Sequence, residues 1–242
     1  TIKLFQILKK LNFDVSTAKK IYMSQRDERI ILSNKTDLIE EKSRKKILKK
    51  KFGYKNKLLI FDDGLQDKTV SYDLEFVCFD SENWIGNGFL MPSGPLREKL
   101  KSLKKYDCVF LKEDFIINQE IITQIYKENK RIKIFKTYLE PINLDKFNHL
   151  EKYVIFSGIG NPQNFKKLLL KHSFNIIKEI IYPDHFEYNE NSINKIKELA
   201  KNLNAKIITT EKDYVKLSKD QQKNIHYLEV ELKIKNENSL ID

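Results

Sequence analysis

Two adjacent carboxylates close an apolar run in Leu58-Leu59-Ile60-Phe61-Asp62-Asp63-Gly64. A carboxylate at the tip of a buried strand is held rigidly beside a ligand crevice, which suits it to hold Mg²⁺ directly or through water, as in a Walker-B strand. Neighbouring residues on an extended strand point to opposite faces, so only one of Asp62 and Asp63 normally reaches a metal. The same three residues could instead make an Asp-Asp-Gly turn whose side chains bond local backbone. A second candidate is Tyr182-Pro183-Asp184-His185-Phe186, where an acid beside a histidine could orient the imidazole for proton transfer or simply close a loop.

Glycine marks further candidates. Six of the seven glycines fall in three short segments: Gly64, then Gly86, Gly88 and Gly94, then Gly158 and Gly160. Such confinement singles out backbone that must turn sharply or let something approach. In the second segment Pro95-Leu96-Arg97-Glu98 reads as a helix start, with outward amides and an arginine one turn in, an anion-binding arrangement. The alternative is a structural loop with Arg97 paired to a surface acid. In the third, Ser157-Gly158-Ile159-Gly160-Asn161-Pro162 predicts a tight strand-to-helix turn with Asn161 as N-cap and Pro162 at the first helical position. Its likeness to a dinucleotide fingerprint stops at Gln163, where a third glycine is required. Thr210-Glu211-Lys212-Asp213 reads as a capping box that uses Thr210 and Asp213 and leaves Lys212 to bind a phosphate.

The elements that must position these residues alternate. Helical spacing covers 2–11, 27–34, 43–52, 96–105, 118–129, 162–172, 191–203 and 211–217, and strand-like runs cover 57–61, 74–79, 108–111, 132–138, 153–156, 175–181, 206–209 and 226–232. Alternation of this kind predicts α/β layers around a mostly parallel sheet. The polar stretch 140–149 is the best boundary, giving two lobes, 1–142 and 143–242. The 242 residues suffice for a sizeable core, and 45 Lys and Arg against 34 Asp and Glu give +11. That balance suits an acidic partner such as anionic lipid, a phosphorylated sugar or a nucleotide, or else reflects a lysine-rich solvated surface. Nucleic acid ranks below these, because most aromatics fall inside apolar runs instead of interleaving with surface charge. Cys78 and Cys108 sit in apolar runs as expected core thiols, and no disulfide or cysteine metal site is predicted. Without a membrane-length apolar stretch or a signal-peptide pattern, the expected location is cytosolic.

Taken in order, FDDGLQ at 61–66, GNGFLMPSGPLRE at 86–98, SGIGNP at 157–162, PDH at 183–185 and TTEKDYVKL at 209–217 resemble the tetraacyldisaccharide 4′-kinases of lipid A biosynthesis. A weaker match places Asp27 of Arg26-Asp27-Glu28-Arg29-Ile30-Ile31-Leu32 where that family has an acid. The resemblance implies a P-loop-type parallel sheet core with a second, smaller α/β lobe. It also implies transfer of the ATP γ-phosphate to the 4′-hydroxyl of tetraacyldisaccharide 1-phosphate, with ATP and Mg²⁺ as cofactors, at the cytoplasmic face of the bacterial inner membrane and against its anionic surface. By position, Asp27 and His185 correspond to an acid and imidazole that assist deprotonation of the sugar hydroxyl. Asp62 and Asp63 correspond to the metal and catalytic carboxylates, with Asp62 the metal ligand, while Gln66 and Lys212 line the nucleotide side and Asn87 and Arg97 the substrate side.

The chain departs from the pattern in three places. Asp67 replaces a histidine, Arg26 and Arg29 replace glycine and proline, and no G-x-x-x-x-G-K-[ST] loop is present. The last predicts a core lacking its amino-terminal strand and Walker A loop, a fragment with little ATP binding or turnover by itself. The alternative reading is a P-loop-fold kinase or NTPase acting on a soluble phosphorylated metabolite.

Overall fold

A computed structural model describes residues 1–22, 26–51, 58–113 and 119–241. In chain order the elements are α1 (Ile2–Lys10), β1 (Val15–Lys20), α2 (Arg26–Lys35), β2 (Leu38–Glu41), α3 (Arg44–Lys51), β3 (Leu58–Phe61), β4 (Phe76–Asp80), β5 (Cys108–Lys112), α4 (Gln119–Glu128), β6 (Lys133–Pro141), β7 (Lys152–Ser157), α5 (Pro162–Lys171), β8 (Asn175–Ile181), α6 (Glu190–Asn202), β9 (Lys206–Thr210), α7 (Glu211–Tyr214), β10 (Ile225–Leu228), β11 (Val230–Ile234) and α8 (Asn238–Ile241). The predicted ends at 52, 57 and 118 lie outside the described residues.

Contacts divide the chain into two compact units, Thr1–Gly64 with Pro141–Val230, and Leu65–Glu140 with Glu231–Asp242. A single cut at 142 does not describe this arrangement. The apolar run expected as one strand at 226–232 splits at Glu229 into β10 and β11, and β11 adds to the sheet of β6, β5 and β4. Within the first unit, Lys35 on α2 pairs with Glu211 on α7 and with Glu229, tying the amino-terminal residues to those beyond 141.

The first unit holds two sheets. The smaller has the order β2-β1-β3, with both neighbours parallel to β1. Neither β1 nor β2 is predicted from the sequence, because Val-Ser-Thr-Ala-Lys-Lys is polar and unalternating. It forms a strand because a central position buries both faces, and Val15 to Lys19 are all buried. The larger sheet, β10-β9-β7-β8, is parallel throughout. Alternation along β7 sends Val154 and Phe156 into a cluster with Ile193, Ile196 and Ala200 of α6, and Tyr153 and Ile155 into one with Phe165, Leu168 and Leu169 of α5.

The second unit pairs β4, β5 and β6 in parallel and packs Val109 and Leu111 of β5 against Ile121, Ile122 and Ile125 of α4. Two expectations fail here. Cys78 is exposed because β4 is an edge strand, whereas Cys108 is buried as predicted. No α-helix begins at Pro95, since the amide of Leu96 is bonded back to the carbonyl of Phe89 (3.2 Å), and only a 3-10 turn forms at Leu100–Lys105. The outward amides of an anion-binding helix start are therefore absent from this segment.

Candidate active site

In the first unit, register brings the predicted residues together. Ala18 of β1 lies opposite Phe61 of β3, and the amide of Asp62 donates to Ala18 O (2.8 Å), which puts Lys19 and Asp62 side by side at the carboxyl ends of parallel strands. Ligands of open α/β sheets bind at that edge. Lys19, 1% exposed, donates its Nζ to Asp62 Oδ2 and to Glu28 Oε2 (2.9 Å). Asp62 Oδ1 accepts from the Thr1 hydroxyl (2.6 Å). Burial works against both charges, but these hydrogen bonds outweigh it, so the Asp62 carboxyl is held below and the Lys19 ammonium above its ordinary pKa. Arg44, buried in α3, donates to the carbonyls of Asp62 and Asp63 and fixes the tip from behind.

One residue before Glu28, Asp27 opens α2 and is 3% exposed. Its Oδ1 accepts from the Glu28 amide (2.9 Å), while its Oδ2 is buried with no hydrogen bond. That oxygen faces His185 Nδ1 at 3.4 Å, Lys212 Nζ at 3.7 Å and Lys216 Nζ at 3.7 Å. His185 Nδ1 is likewise buried and unbonded, and its Nε2 lies 3.8 Å from Asp184 Oδ2. Lys212 also stands 3.6 Å from Asp184 and 3.9 Å from Glu28. Charged neighbours thus run without a break from Asp62 through Lys19, Glu28, Lys212 and Asp27 to His185. A buried carboxylate oxygen that receives no hydrogen bond, set against an imidazole, is placed to orient that ring for proton transfer.

The surrounding elements explain why these groups stay put. The Thr210 hydroxyl caps α7 by accepting from the Asp213 amide (3.1 Å), and Asn161 caps α5 by accepting from Asn164 (3.2 Å), both as predicted. Asp213, fully buried, does more than cap. Its carboxylate accepts from the Gly158 amide (3.0 Å), the Tyr188 hydroxyl (3.1 Å), Thr210 (2.7 Å) and Lys216 (3.0 Å). Burial first and this carboxylate second push the Tyr188 phenol far upward, so it stays a donor. A β-carbon on Gly158 would stand 3.0–3.2 Å from Tyr188 Oη, Pro183 O and Phe186 Cβ, so any larger residue would press on the 183–186 turn where it closes over the strand end. The His185 amide then donates to Gly158 O (3.2 Å). Both Asp63 (φ +52°) and His185 (φ +59°) hold left-handed backbone, a costly state that persists where surroundings dictate it.

The remaining predicted residues lie in the second unit, since its boundary falls inside the Asp-Asp-Gly-Leu-Gln motif. Gln66 Oε1 accepts from Arg97 Nη1 (3.4 Å), and Glu98 accepts from the Tyr106 hydroxyl (2.8 Å). Asn87 turns inward on its own loop, donating to Ser93 O (2.9 Å) and accepting from the Phe89 amide (3.1 Å). Lys19, Glu28 and Lys216 were not singled out from the sequence. Lys19 is hidden in a lysine-rich background, whereas Lys216 could have been found from its spacing behind Asp213 and Lys212.

Strand-end carboxylates, buried lysines and a carboxylate-imidazole pair on parallel α/β sheets define a phosphotransferase type of protein, and comparison with known proteins agrees. Residues 15–242 match the family described as tetraacyldisaccharide-1-P 4′-kinase. The tetraacyldisaccharide 4′-kinase of Pelagibacter ubique is 41% identical over 99% of this chain and 76% of its own length, and that of Rickettsia bellii 36% identical over 89% and 65%. The fold resembles the crystal structure of LpxK from Aquifex aeolicus in complex with ATP, with a TM-score of 0.67 at 20% identity over 99% of this chain and 80% of that one. The chain belongs to the tetraacyldisaccharide 4′-kinase family, a family of ATP-dependent kinases of lipid A biosynthesis.

Proposed function

We propose that the protein transfers the γ-phosphate of ATP to the 4′-hydroxyl of tetraacyldisaccharide 1-phosphate, yielding lipid IVA, at the cytoplasmic, anionic face of the bacterial inner membrane. The observation that carries this is the unbonded, buried Asp27 Oδ2 facing His185 Nδ1 at 3.4 Å. Transfer to an alcohol needs a group to receive the hydroxyl proton, and apo geometry of such pairs is commonly slightly long. In this reading Asp27 orients the imidazole through Nδ1 and stabilises the charge it acquires, while His185 takes the acceptor proton at Nε2. The relatives' shared name supplies the acceptor, and the ATP complex of the Aquifex enzyme supports the donor.

Asp62 and the Thr1 hydroxyl would hold magnesium. No cluster of three His, Cys, Asp or Glu side chains among the described residues could cage a metal, and a single strand-tip carboxylate suits an ion that keeps waters and leans on phosphate oxygens. When bound, magnesium would neutralise charge on the transferring phosphates. Lys19 and Lys212 offer their ammonium groups to phosphate oxygens. Asp63 supports the catalytic tip, and Gln66 lines the nucleotide side. Arg97 binds the acceptor phosphate, with Asn87 holding the loop that presents it.

Replacing His185 by Ala in the full-length protein is expected to lower turnover at least ~100-fold, read by mass spectrometry of the phosphorylated lipid. Near-normal turnover removes the imidazole from the mechanism. Running soluble sugar phosphates beside the lipid tests the acceptor, since preference for a soluble one would replace this reading with the metabolite kinase alternative.

A further inference from the structure

The segment between β4 and the 3-10 turn contains an exposed apolar tip. Phe89 is 63% and Met91 65% exposed, with Leu90 between them also open to water. A floppy loop would not keep such side chains outside, and this one is braced. The Met91 amide donates to Leu96 O (2.8 Å), the Leu96 amide to Phe89 O (3.2 Å) and the Gly94 amide to Leu90 O (3.1 Å), with Asn87 bonded across the base. A β-carbon on Gly94 would fall 2.4 Å from Phe89 O and 2.2 Å from Asn87 Oδ1, so the frame is closed tightly beneath the tip. The backbone is ordered around itself while its largest apolar side chains face solvent, which costs free energy unless another apolar phase receives them.

Charge says which phase. Residues 86–105 carry five basic side chains, Arg97, Lys99, Lys101, Lys104 and Lys105, all exposed, against one acid, Glu98, which is engaged by Tyr106. Lysine is depleted in protein interfaces, whereas apolar residues bordered by Lys and Arg are the composition of segments that lie on anionic bilayers. We propose that Phe89, Leu90 and Met91 enter the acyl boundary of an anionic phospholipid bilayer while the following lysines engage its headgroups. The proposal rests on the lipid-acceptor reading above for its biological sense, and its test is separate.

Flotation of the full-length protein with vesicles of phosphatidylcholine alone and of phosphatidylcholine with phosphatidylglycerol reads binding directly. The Phe89→Ser/Met91→Ser variant should bind the anionic vesicles about tenfold more weakly or worse, with an unchanged melting temperature. Lys101→Glu/Lys104→Glu should lose about tenfold on the anionic vesicles and little on the neutral ones. A tryptophan placed by Phe89→Trp should be quenched by brominated acyl chains beyond the Trp84 background. Binding within twofold of the parent in the serine variant, or no added quenching at position 89, overturns the proposal. A raised KM for detergent-dispersed acceptor with unchanged vesicle binding also overturns it, because the tip would then serve acceptor chains. Failure of the unaltered protein to phosphorylate any lipid acceptor sinks the kinase reading while leaving vesicle binding to be judged by itself.

Discussion

Asp62 and Lys19 are held charged by each other, and each shift fixes a direction of pH dependence. The folded-state pKa of Asp62 lies below its ordinary 3.8, so its stabilisation is present above about pH 4 and is lost as pH falls through the lowered value. Lys19 is raised above 10.5, so its stabilisation is present at lower pH and is lost as pH rises through the raised value. Thermal melts of Asp62→Asn should show a shallower acid limb than the parent and a lower melting temperature at pH 7; parallel acid limbs would contradict the pairing. Lys19→Met should be the harsher change, roughly 3 kcal/mol by denaturant titration, because it strands two carboxylates around a buried position. At this scale the sequence was partly legible. Asp62 announced itself at the end of an apolar run, whereas Lys19 could not, since only the pairing of β1 between two neighbours turns an apparently surface lysine into a buried one.

Among the elements, α7 is only four residues long, yet it supplies Asp213, whose carboxylate satisfies donors from four different residues. Asp213→Ala leaves the Lys216 ammonium and the Tyr188 hydroxyl without their buried acceptor, and a loss of about 3–5 kcal/mol is expected in urea unfolding. Asn161→Ala, which removes one cap at a helix start, should cost about 1 kcal/mol. If the two substitutions cost the same, Asp213 is a cap and nothing more. Gly158→Ala should lower turnover more than stability, because the added carbon presses on the 183–186 turn that carries the imidazole. Capping at Thr210 and Asn161 was readable because it is local chemistry. The further task of Asp213 was not, because its partners arrive from the residue after β7, the loop before α6, the end of β9 and the segment just beyond α7. The helix expected at Pro95 failed for a related reason: glycine and proline there serve a self-bonded loop, which local spacing cannot distinguish from a helix start.

For the whole molecule, the cut at 142 placed Asp27 and His185 in different lobes, but the fold puts them in one compact unit. Their association depends on parallel strands whose pairing no local pattern specifies, while their types and order already resembled the family motifs. Proton transfer in this site therefore depends on residues 27 and 185 acting as one device. A double-mutant cycle on kcat/KM in the full-length protein tests that most directly, using Asp27→Asn and His185→Asn, the latter chosen because asparagine accepts the left-handed backbone at that position. If the pair works together, each single change costs about 100-fold and the double variant is scarcely slower than the worse single. Losses that multiply, to about 10⁴-fold in the double variant, would mean that the two side chains act independently and would contradict the account.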